Sequence, residues 1–197
     1  MHLLPIRRAR RIPVLLLIVT CAMALAAVSF ARTPAHGAAQ AGHPAAAGTS
    51  TTAMHTYALS GDESTLLIAI NRYRRRHHRT LLVADKHLDR AARWMAADLG
   101  KQDQVGLSHT DSLNRFVGTR LNAFGYPTDR CTSKEDLAAG KQAPAAVLAQ
   151  WKGSKPHRRN LLASGMHAVG LAQVQVESSR YGWYWVIDIG SCVSQRL

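Results

Sequence analysis

Apolar residues change their spacing once along this chain, and that change limits the fold it can adopt. From Leu66 to Trp151 they return every three or four positions; from Val169 onward they return every second one. The first period buries one face of a helix and the second one face of a strand. Helices come first and a hairpin last, which predicts an α+β fold with N-terminal helices packed on a C-terminal antiparallel sheet.

Four helices are expected before the switch. Asp62 is the expected cap of the first, with Leu66, Ile70 and Tyr73 on its buried face. It ends in Arg74-Arg75-Arg76-His77-His78-Arg79. Arg74, Arg75, Arg76 and Arg79 read either as a polyanion-binding patch or, more simply, as a solvated last turn whose cations complement the helix dipole. No aromatic residue interleaves to stack on bases, so nucleic acid is not the expected partner. Asp85 caps a second helix, with Leu88, Ala92, Met95 and Leu99 as its buried stripe. Ser112 is expected to cap a third, with Leu113, Phe116, Val117 and Leu121 inward. Residues 128–143 form an irregular segment around Cys131 and Glu135. Pro144 suits the first turn of a fourth helix carrying Val147, Leu148 and Trp151.

Trp151 to Leu162 joins the two regimes. A Gly/Ser/Lys/Pro turn follows the tryptophan, and His157 opens a short apolar run. Val169, Leu171, Val174 and Val176 then mark one strand or two. Glu177 to Arg180 is a polar turn, and Tyr181 to Ile189 is a strongly β-prone strand.

Residues 1–31 read as a secretory signal. A basic stretch, Arg7-Arg8-Ala9-Arg10-Arg11, precedes an apolar run from Ile12 to Phe30, which ends with the small residues Ser29 and Ala31 in place for cleavage. An uncleaved anchor is the alternative and would be the chain's one link to a membrane. Residues 32–60 are rich in Ala, Gly, Pro and Thr and read as a flexible linker. The ordered domain is expected over 61–197. Four of the 25 basic residues precede the apolar run and none of the 12 acidic ones does, which leaves a surplus of nine for the remainder. That surplus favours anionic surroundings such as a cell-envelope polymer or lipid head groups.

Two cysteines remain after the signal, Cys131 and Cys192. In an oxidising compartment they are expected to pair; two buried thiols are the alternative. No nucleophile motif of the Gly-x-Ser-x-Gly kind is present. His109 and Glu135 sit in stretches read as irregular, and with His157 they form a candidate cluster. Two imidazoles and a carboxylate would serve either as an acid–base group or as a site for zinc or another divalent ion held by His109 and His157.

The order of short motifs resembles the CAP superfamily (cysteine-rich secretory proteins, antigen 5 and pathogenesis-related 1), in its bacterial SCP-domain branch. Asn71 and Arg74 match N-x-x-R. Ser108-His109 matches the loop histidine, and Lys134 to Gly140 matches G-E-N-[IL]-A-x-G. Trp151 to Leu162 matches W-x-x-S-x-x-H-R-x-N-[IL]-[LM], and Ala168 to Ala172 matches the strand after it. The resemblance covers roughly residues 63–192. It implies an α–β–α sandwich and a cleft lined by His109, Glu135 and His157, where some relatives bind zinc. Sterol or fatty-acid binding is associated with eukaryotic relatives. Three positions depart from the pattern. Lys134 and Asp136 replace a glycine and an asparagine, and Lys134 is expected to pair with Glu135. Ala145 stands where bacterial relatives often carry a second glutamate. Together these imply a secreted monomer, extracellular or periplasmic, that binds a lipidic or anionic ligand without catalysis. The alternative is a metal-dependent hydrolase using His109, His157 and Glu135.

Overall fold

The computed structural model describes residues 58–197; the signal segment and most of the linker read above lie outside the described residues. Ser60, not Asp62, caps the first helix, α1 (Gly61–Arg76). Its hydroxyl accepts from the Glu63 amide, and Glu63 accepts from the Ser60 amide, a reciprocal capping box. Asp62 lies one position inside the first turn, where it faces the helix dipole. Glu63 is buried and also accepts from the Gln173 amide at 2.8 Å, so the cap ties the helix to the sheet.

After a short strand, β1 (Val83–Ala84), Asp85 caps α2 (Lys86–Gln102) by accepting from the amides of His87 and Leu88. Leu88, Ala92, Met95 and Leu99 are buried as their spacing predicts. The third helix is shorter than expected. α3 (Val117–Ala123) begins after Phe116, and Leu113 and Phe116 are each 63% exposed. Ser112 caps nothing; its amide and hydroxyl both donate to Asp98 of α2.

Residues 133–139, read as irregular, form strand β2 (Ser133–Ala139). Pro144 opens α4 (Pro144–Gly153) as expected, with Val147 and Trp151 fully buried. Burial of side chains this size contributes about 2–3 kcal/mol each. The Trp151 indole N–H donates to the Leu137 carbonyl at 3.0 Å and pins α4 to β2. Ser154 both ends α4 and begins α5 (Lys155–Leu161), so His157 rides on a helix rather than a turn.

β3 (Ala168–Gln175) and β4 (Trp183–Gly190) form the antiparallel hairpin read from the period-two stretch. The sheet order is β1-β3-β4-β2, with β1 parallel to β3 and the other pairs antiparallel. The sheet is therefore mixed, and its outer strands come from the middle of the chain. Ile70, Trp151, Leu161, Trp185 and Ile187 pack one face against α1, α4 and α5. Ala92, Met95, Leu137, Tyr184 and Val186 pack the other against α2. Tyr184 to Ile189 is buried on both faces, so the aromatic strand is core. Gly170 permits the close approach of α2: a Cβ there would stand 2.0 Å from the Leu88 carbonyl carbon. Cys131 and Cys192 are joined as a disulfide, Cα to Cα 5.6 Å.

Candidate functional site

β2 is an edge strand, and its outer margin is reached from both layers of helices. Alternation sends Glu135 and Asp136 to opposite faces. Glu135 meets the loop after α2 and the helix α3. Its Oε1 lies 2.7 Å from His109 Nδ1, and its Oε2 accepts from the guanidinium of Arg120. Arg120 is fully buried and also donates to the His109 carbonyl at 3.2 Å. One arginine thus holds both the carboxylate and the loop that carries the imidazole. The cation beside Glu135 is Arg120, whereas Lys134 is exposed and makes no ion pair among the described residues.

A second carboxylate stands next to this pair. Asp188 of β4 is opposite Glu135 in the strand register and is wholly buried. Both of its oxygens are buried, and Glu135 is the side chain within their reach among the described residues. Burial, and then the Glu135 charge, push Asp188 well above the usual carboxylate range.

On the other face, Asp136 Oδ1 accepts from Asn160 Nδ2 of α5 at 2.7 Å. Burial raises Asp136 to about 7. His157 sits one turn earlier on α5, with its Nδ1 buried and unpartnered. Burial lowers the pKa of His157 first, and the positive charge of His109 second. His109 moves the other way, raised chiefly by its hydrogen bond to Glu135. The two imidazoles are thus electrostatic neighbours, with His109 the more cationic.

Among the described residues, no three His, Cys, Asp or Glu side chains converge to hold a metal ion. His109, Glu135 and His157 form no such three-ligand group.

His109, Glu135, Lys134 and Asn160 line a cleft of about 290 Å³, together with Phe116 and Val117. Arg120 and Asp188 carry no local sequence signal; only the fold places them beside Glu135. The expected basic patch divides. Arg75, Arg76 and Arg79 are exposed, but Arg74 is fully buried. Its guanidinium donates to the carbonyls of Thr80, Leu161, Ala163 and Met166. Asn71 similarly exchanges two hydrogen bonds with the Leu82 backbone. The N-x-x-R pair is thus a structural brace.

Helices on both faces of a mixed sheet, with a histidine–glutamate cleft at its edge, define an α–β–α sandwich domain. The CAP family, described as the cysteine-rich secretory protein family, matches residues 67–189, and the chain belongs to it. Among solved structures, an outer surface protein from Borrelia burgdorferi is 19% identical with a TM-score of 0.58, over 70% of this chain and 95% of that one. An extracellular protein containing a SCP domain from Bacillus anthracis is 23% identical with a TM-score of 0.55. That match covers 66% of this chain but only 40% of the longer protein. These likenesses establish the fold. No curated protein matches the chain significantly in sequence. No helix among the described residues is long and apolar enough to cross a membrane.

Proposed function

We propose that this CAP-domain protein is an exported, non-catalytic binding module whose cleft at the β2 edge holds the anionic head of an amphiphile. The observation that carries this reading is the engagement of Glu135. One oxygen is held by His109 and the other by a buried arginine. Both oxygens are committed to partners within the fold, which suits a carboxylate that shapes the cleft better than one free to take a proton from a substrate. The hydrolase alternative requires Glu135 to shuttle that proton and gains no support from such an arrangement.

The cleft lining suits a ligand with two characters. Lys134 and the raised His109 offer positive charge, while Phe116 and Val117 offer apolar surface. A volume of about 290 Å³ accommodates a head group and the first part of a chain. Export accords with the disulfide, which persists in oxidising compartments. It also accords with the extracellular and outer-surface proteins that share the fold.

Calorimetric titration of the purified protein with dodecanoate and with a lysophospholipid tests the reading. Saturable binding is expected, weakened about ten-fold by Phe116→Ala or Lys134→Ala. Absence of heat with both ligands, or variants that bind like the parent, would overturn it.

A further inference from the structure

A second hollow, of about 720 Å³, lies beyond Lys134 and Asn160. Five cations line it: Arg79, Lys134, Lys155, Arg158 and Arg159. They come from three separate segments, the turn after α1, strand β2 and helix α5. No acidic residue is among the lining groups, and none of the five forms an ion pair among the described residues. Like charges brought together without counter-charge repel. Their convergence on one concave surface focuses a positive field there.

The remaining lining narrows what such a field would hold. No aromatic side chain faces the hollow, so bases have no platform to stack on. The apolar contribution comes from Pro156, Leu162, Ala163 and Met166, and Met166 is only 6% exposed. Arg158 is oriented by its bond to the Lys152 carbonyl at 2.7 Å. The far wall, residues 161–166, is fixed from beneath by the buried Arg74 guanidinium. Arginine forks and lysine point charges are both well suited to hold phosphate oxygens.

We propose that this groove binds a phosphodiester polymer of the cell envelope, with successive phosphates along its chain paired by Arg79, Lys155, Arg158 and Arg159. It is a separate site from the His109–Glu135 cleft, joined to it at Lys134 and Asn160. An occupant of one does not require an occupant of the other.

The test measures binding of the full chain to poly(glycerol phosphate) by fluorescence anisotropy or calorimetry. Affinity is expected to fall about ten-fold or more between roughly 50 and 200 mM salt, as for other ligands held by several phosphate contacts. The triple variant Arg79→Ala, Lys155→Ala, Arg159→Ala changes only exposed side chains. It should lose at least about ten-fold in affinity while its melting temperature stays that of the parent. Phe116→Ala, which alters the cleft alone, should bind the polymer normally, so failure of the cleft reading and failure of this one are told apart. Three results would overturn the proposal. One is an unchanged affinity in the triple variant. Another is binding insensitive to salt. The third is equal or tighter binding to hyaluronate, single-stranded DNA or phosphatidylglycerol vesicles, which would assign the groove to a different polyanion.

Discussion

Arg120 sets the charge balance of the cleft. Glu135 and Asp188 face one another across β2 and β4, and two adjacent buried carboxylates do not both ionise. Arg120 pairs with Glu135, while burial beside that carboxylate pushes the Asp188 pKa well up. Replacing Arg120 with methionine preserves much of the volume and removes the charge. Breaking a buried pair in this way costs about 3–5 kcal/mol. Chemical denaturation of Arg120→Met should show that loss, and a change under about 1 kcal/mol would mean that the ion pair is dispensable. The Nη1 bond to the His109 carbonyl goes with it, so the loop carrying the imidazole should also loosen.

At the scale of elements, β2 couples the cleft to pH. Its Asp136 rises from an ordinary value near 3.8 to about 7 on folding. A group raised by folding contributes stability that is present below its unfolded pKa and lost as pH climbs through the folded one. His109, also raised, acts in the same sense from 6.5 upward. The protein should therefore melt at a higher temperature at pH 5 than at pH 8. Asp136→Asn keeps an oxygen for Asn160 and removes the titration. Melting curves across this range should show the variant gaining a few kcal/mol on the parent as pH rises. A constant difference between the two would show that Asp136 does not titrate in this window.

The same strand shows where sequence reasoning reached its limit. Ser133-Lys134-Glu135-Asp136 has neither β-branched residues nor apolar alternation. It is extended because β4 supplies its hydrogen bonds and the core accepts its second half, a tertiary effect that no local window contains. The long stripes of α1, α2 and α4 and the final hairpin were legible because each buries a periodic face. Leu113 and Phe116 had the right spacing for a helix, but Asp98 captures Ser112 and delays the helix to Val117. The site was half legible. His109 and Glu135 stood out by chemistry and motif, whereas Arg120 and Asp188 join them through contacts between distant segments.

For the molecule as a whole, the disulfide joins the stretch before β2 to the stretch after β4. Its cysteines are 61 residues apart in sequence, so it closes a loop that contains most of the sheet and both helices α4 and α5. The Tyr126 hydroxyl, which donates to the Cys192 carbonyl and accepts from its amide, secures the same corner. Closing a loop of that length contributes about 4 kcal/mol in the chain-entropy account. Denaturant titrations with and without reductant should differ by roughly that amount. Equal midpoints would place the stabilisation in packing alone.

Arg74 reaches across this architecture from α1 to the segment between α5 and β3, where it crosslinks three carbonyls without a covalent bond. A wall braced in that way is already shaped before anything arrives. Capture of a charged chain along it would then be limited by diffusion and electrostatic attraction, with no slow ordering step between encounter and grip.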